Sequence, residues 1–186
     1  MKSAITAEIE HPEVRYDRRT IGLHWITALL VALLWGIAEI IDLFPRGAPK
    51  IAVRSVHISL GVLLAVVLVR RLLWRVGSGQ RLPPVHGGLL GLATRIVHVA
   101  LYAALVVVVA LGLVNAWARG DSIFSLFTIP KLLPGQSSLK PTIENFHKVG
   151  ANALVILALV HALAGLFHRY ILRDSVLQRM LVRRQS

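Results

Sequence analysis

FHKVGANALVILALVHALAGLFH, Phe146 to His168, is the stretch that decides the fold. It lies inside an apolar run from Ile143 to Ile171, which is long enough for a helix to cross a bilayer. Three histidines interrupt it: His147, His161 and His168. His147 and His161 are fourteen residues apart, which at 1.5 Å rise is ~21 Å along a helix axis. At 100° per residue, fourteen steps fall within about 40° of whole turns, so both rings leave one face. A hydrocarbon core is ~30 Å thick. The two imidazoles therefore sit at two depths, one toward each membrane surface.

Three more apolar runs precede this one, at Arg19 to Leu43, Ile51 to Trp74 and Leu89 to Trp117. The chain has 186 residues, is 55% hydrophobic and has a mean hydropathy of +0.67, leaving little sequence for a soluble domain. The reading is an all-α integral membrane four-helix bundle. Residues 1–17 form a short polar tail, 18–173 the four-helix transmembrane domain, and 174–186 a basic C-terminal tail. FPRGAP (44–49) is turn chemistry, and GSGQRLPPVHGG (77–88) is a loop rich in Gly and Pro. The longest connection, 118–141, contains SIFSLF, read as a short amphipathic piece in the interface. The N-terminus has no signal-peptide pattern, and the first span is expected to stay as an anchor.

The net charge of +12 sits at the flanks of the apolar runs and is not interleaved with aromatics. That argues for topology and lipid contact, and against nucleic acid. Lys and Arg favour the tail, the second loop and the C-terminus over the other side by about two to one, which puts both termini in the cytoplasm. There is no cysteine, which excludes disulfides, thiolate metal sites and covalent C-x-x-C-H haem attachment.

Sorting the remaining histidines by depth gives a pattern. His24 lies about one turn into the first span, on the cytoplasmic side. His57 lies about two turns into the second, on the outer side. With span 4 they form two level pairs, His24 with His161 and His57 with His147. Bis-histidine ligation of haem b needs two axial imidazoles from different helices at one depth. Gly22, Gly61, Gly150 and Gly165 lie near these histidines and would let a flat ring approach the backbone, although close helix packing in membranes uses glycine in the same way. Zinc would need three or four ligands within a few Å, and the depths forbid that for all four.

The chain resembles the bacterial cytochrome b561 family, four-helix di-haem membrane proteins. The matching pieces are RRTIGLHW (18–25), VHISLG (56–61), VRRLLWR (69–75), HVALY (98–102), residues 138–170 around the opening stretch, and RDSVLQRML (173–181). The match covers most of the chain, in order, and keeps the histidine spacing of span 4. It implies two haem b groups, with His24 and His161 as iron ligands on the cytoplasmic side, His57 and His147 on the outer side, and no ligand from span 3. It further implies a multi-pass protein of the bacterial inner membrane. Family members carry His at the positions of His98 and His168, which makes these two the quinone candidates, with ubiquinone the expected redox substrate.

Arg18, Arg19, Arg70, Arg71 and Arg95 crowd the cytoplasmic side, where they suit lipid phosphates or haem propionates. Arg46, Lys50, Arg54 and Lys148 ring the outer side and would attract a small anion. Glu39 and Asp42 read as interfacial carboxylates. Tyr102 and Tyr170 read as membrane-belt residues. The functional expectation is di-haem transmembrane electron transfer to or from the quinone pool, with superoxide:ubiquinone oxidoreduction as one form of it. The donor is then superoxide, another small molecule or a redox protein. The alternative is a cytochrome b anchor subunit for a periplasmic dehydrogenase or hydrogenase. A haem-free membrane protein such as a transporter is the remaining rival.

Overall fold

The computed structural model describes residues 15–131 and 139–181. The expectations for the first fourteen residues, and for the last five, lie outside it. Four long helices carry the chain: α1 (Arg18–Ile41), α2 (Ala48–Gly77), α3 (Gly88–Arg119) and α4 (Leu139–Phe167). Each contains a window apolar and long enough to cross a membrane. In hydrocarbon every backbone polar group must find its partner within the chain, so an apolar run of this length has the helix as its solution.

Local chemistry sets the helix ends. Asp17 caps α1 from an extended conformation, accepting from the Thr20 N–H at 2.9 Å and from the Thr20 hydroxyl at 2.6 Å. Pro49 sits in the first turn of α2, where its missing N–H costs nothing, so FPRGAP closes α1 and opens α2 together. Gly120 ends α3 at φ 65°, in the left-handed region that glycine enters without a Cβ clash.

The helices pack as two hairpins, α1 against α2 and α3 against α4, with slighter contact between the hairpins. A core of Leu30, Leu34, Leu64, Val67, Leu68, Leu105 and Leu154 joins the four. Large apolar side chains such as Leu29, Val66, Val107, Leu159 and Leu163 face outward, as lipid contact requires. The Trp35 indole N–H donates to the Asn152 side-chain oxygen at 3.0 Å, a polar tie between α1 and α4.

The segment SIFSLF is a two-stranded hairpin, β1 (Ser122–Ile123) and β2 (Phe127–Thr128), where an interfacial amphipathic piece was expected. Phe124 and Ser125 both have positive φ, 49° and 59°, the signature of the primed turns that suit strand twist. The fully buried Ser55 of α2 pins the turn by accepting from the Phe124 N–H at 2.8 Å. At the other end of the bundle, the first and last described segments, at Tyr16 and at Arg179 and Met180, meet the α2–α3 loop. Tyr16 N–H donates to Arg179 O at 3.1 Å, the Trp25 indole to Met180 O at 2.8 Å, and the Arg179 guanidinium to Pro83 O at 2.6 Å. These ends are called below the termini end and the far end.

Candidate functional site

Two histidine pairs stand in the bundle. At the far end, His57 of α2 faces His147 of α4 with ring centroids 6.4 Å apart. At the termini end, His24 of α1 faces His161 of α4, also at 6.4 Å. A metal–imidazole bond of ~2.0 Å, and a nitrogen ~1.2 Å from its ring centre, put two trans-axial imidazoles ~6.4 Å apart between centroids. Both pairs have that spacing. The rings of each pair grouped by depth lie 6.4 Å apart, with His98 nearer still to His161.

The far-end pair opens on a cavity of about 360 Å³, within the ~300–1,000 Å³ of ligand pockets. All four helices line it. Val31, Leu34, Gly61, Leu64, Leu105 and Leu154 form apolar walls, and Arg54, Arg119 and Lys148 lie at the rim. Gly61 faces open space, and a Cβ there would project into the slot. His147 donates Nδ1–H to the Val108 carbonyl at 3.1 Å, which leaves Nε2 with its lone pair free. Gly112 makes this possible: a Cβ at that position would stand 2.9 Å from His147 Cε1. His57 Nδ1 is buried with no hydrogen-bond partner, an orphan that a bound group would explain. The donor set and the shape fit a flat macrocycle with two axial imidazoles.

The termini-end pair is more crowded. Arg71 donates to His24 Nδ1 at 3.1 Å and lies over the Tyr102 ring at 4.9 Å from its centroid. Tyr102 thus faces the bundle, against the belt position expected for it. His98 of α3 donates Nδ1–H to Thr94 O at 2.6 Å and brings its ring within 5.1 Å of His161. That is closer than His24, whose ring centroid lies 6.4 Å from that of His161. The other quinone candidate, His168, opens a π-helical turn (His168–Leu172) beyond α4. It contacts Asp174 and lies 5.3 Å from His86 between ring centroids. His86 and Asp174 were not singled out by sequence. A lone histidine in a Gly/Pro loop and an aspartate past a helix end carry no spacing signal across 88 residues.

At the far end, Arg46, Gly47, Lys50, Ile51 and Arg54 line a second, shallower cavity of about 300 Å³. Carboxylates temper the positive field nearby. Lys50 pairs with Asp42 at 2.8 Å, Lys148 with Glu144 at 2.9 Å, and buried Asp121 takes Arg119 at 2.8 Å and Arg54 at 3.5 Å. The hydrogen bond from the Lys50 ammonium, with its charge, holds the Asp42 carboxyl below its ordinary range.

A sequence profile of prokaryotic cytochrome b561 matches residues 15–182. The chain belongs to the prokaryotic cytochrome b561 family. It is 31% identical to cytochrome b561 homolog 1 of Escherichia coli K12 over 175 residues, covering 92% of this chain and 99% of that protein. It is 28% identical to the probable superoxide oxidase CybB of Yersinia pestis, covering 92% and 98%. Cytochrome b562 of Cereibacter sphaeroides is 30% identical over 185 residues, covering 91% and 96%. The protein is therefore a multi-pass, electron-transferring membrane protein of the bacterial inner membrane, and b561 membership implies haem b.

Proposed function

We propose that this b561 protein moves single electrons across the membrane through two b haems, between a donor at the far end and ubiquinone at the termini end. His57 and His147 would hold one haem, and His24 and His161 the other. The observation that carries this reading is the pair of equal 6.4 Å ring separations at two levels of one bundle. Bis-imidazole haems, when bound, supply one-electron transfer at irons with no open coordination position.

The chain's own groups have definite tasks in this reading. Val108 O fixes the His147 tautomer, so Nε2 would be the atom offered to a haem iron. An imidazole ligating through Nε2 carries its proton on Nδ1. Arg71 has donors only and occupies His24 Nδ1, so it would have to release His24 for that ring to carry its proton on Nδ1 and offer Nε2 to a haem. Released, its guanidinium suits a propionate carboxylate. His98 has Nε2 free because Nδ1–H is committed to Thr94 O, so it can accept or relay a proton beside a quinone. His168 is the second quinone candidate. Lys and Arg placement favours the termini end as the cytoplasmic one.

The basic cavity at Arg46, Lys50 and Arg54 supports a small anionic donor. The name of the Yersinia relative makes superoxide the first donor to try. The test is stopped-flow mixing of the purified protein with superoxide, with and without ubiquinone. Superoxide-dependent appearance of a reduced b-type spectrum, discharged by ubiquinone, is the expected result. A protein that lacks a b-type spectrum refutes the haem reading. A b-type protein that superoxide leaves oxidised, and that copurifies with a large dehydrogenase or hydrogenase subunit, is the anchor instead.

A further inference from the structure

Outside both histidine pairs, three donors from three separate segments converge at the termini end. His86 comes from the α2–α3 loop, His168 from the π-helical turn after α4, and Asp174 from the segment that follows. One ligand atom from each lies within 4.8 Å of the others. Asp174 Oδ2 accepts from His168 Nδ1 at 2.5 Å and from His86 Nε2 at 2.8 Å. Asp174 Oδ1 accepts the Val176 N–H at 3.0 Å, which aims Oδ2 at the two rings. The side chains of His168 and Asp174 are 12% and 14% exposed, and that of His86 is 33% exposed, so the cluster is sheltered but reachable from solution.

The backbone is distorted to make this meeting. Helix α4 widens into a π turn beginning at His168, and Arg173 takes φ 54°, unusual for a residue with a side chain. The Asp174 N–H closes back on His168 O at 3.1 Å, locking the two donors together. From the other side, the bond from Arg179 to Pro83 O ties the His86 loop to the same C-terminal segment. Strain of this kind is a pointer to a site when donors converge on it.

We propose that His86, His168 and Asp174 form a binding site for a divalent transition metal, with zinc the best match. Two imidazole nitrogens and one carboxylate oxygen are a donor set that Zn²⁺ takes with a fourth, solvent-filled position. Bonds of ~2.0–2.2 Å in a tetrahedron need ligand atoms ~3.3–3.6 Å apart, so the present contacts open by about 1 Å or less. Each imidazole then carries its proton on its other nitrogen. The proposal stands on these three residues; it uses His168 through Nδ1 and leaves its Nε2 for the quinone role given to that ring above.

The test is equilibrium dialysis of the full-length haem-loaded protein, purified without a polyhistidine tag, against Zn²⁺, with zinc and iron counted by elemental mass spectrometry. One zinc per chain is expected. His86→Ala, a loop change, should weaken zinc binding about tenfold or more and leave haem content unchanged. Asp174→Asn should do the same, while Asp42→Asn, an exposed carboxylate at the far end, should leave zinc binding intact. Zinc retention by His86→Ala equal to that of the unaltered protein overturns the site, as does a wild-type chain that binds no zinc.

Discussion

Gly112→Ala separates a ligating His147 from a merely buried one. The added methyl would stand 2.9 Å from His147 Cε1, whereas carbon contacts settle at ~3.5–4.0 Å. The ring must therefore move by roughly 0.6–1.1 Å, or α3 must withdraw from α4. A free imidazole at the end of a flexible side chain turns aside at little cost. An imidazole held between Val108 O and an iron cannot turn without breaking one of those bonds. Overpacking of this size costs about 1–3 kcal/mol, and here it falls on haem binding. That corresponds to roughly a 5-fold to 150-fold loss of affinity at the far-end site. The assay is haem per chain, measured by pyridine haemochromogen after dilution into detergent, with a redox titration of what remains. The expected result is selective loss of one haem, with the other's midpoint little changed. Gly77→Ala is the control, since it ends α2 away from both histidine pairs and its Cβ would meet nothing within 4 Å. If Gly112→Ala keeps full haem content and unaltered potentials, His147 is not a ligand in the proposed geometry.

Other outcomes follow from particular contacts. Arg71→Ala removes the cation beside His24, so the midpoint potential of the termini-end haem should fall while the other stays put, as a redox titration would reveal. Asp121→Asn leaves Arg54 and Arg119 facing a neutral amide, which should cost about 1–3 kcal/mol in thermal unfolding and loosen the hairpin over Ser55. Asp17→Ala removes the α1 cap and should cost about 1 kcal/mol at neutral pH. Burial raises the Asp17 carboxyl, but the hydrogen bonds from Thr20 and neighbouring N–H groups outweigh it and hold it below 3.8. Its stabilising contribution is therefore complete above about pH 3.8 and disappears as the pH falls through the lower folded value, so wild type and variant should converge in strong acid.

Much of the architecture was legible because a bilayer narrows the choices. Apolar runs of bilayer length can only be helices, and the fixed rise turns a residue count on span 4 into depth. Depth alone grouped His24 with His161 and His57 with His147. What could not be read was lateral. Nothing in the local sequence indicated that Gly112 and Val108 of α3 would seat His147, or that Arg71 would reach His24 across 47 residues. The hairpin at Ser122–Thr128 was missed because its turn places Phe124 and Ser125, and no Gly or Asn, at positive φ. A tertiary anchor, Ser55, stabilises it, and propensity carries no trace of that.

The most direct measurement is the haem-to-protein ratio of the purified chain, taken together with those of His57→Ala and His161→Ala. Two haems per chain in the unaltered protein, and one in each variant with a different haem surviving in each, are expected. A single haem in the unaltered protein, or variants that keep both, would contradict the two clamped pairs on which electron transfer through this bundle depends.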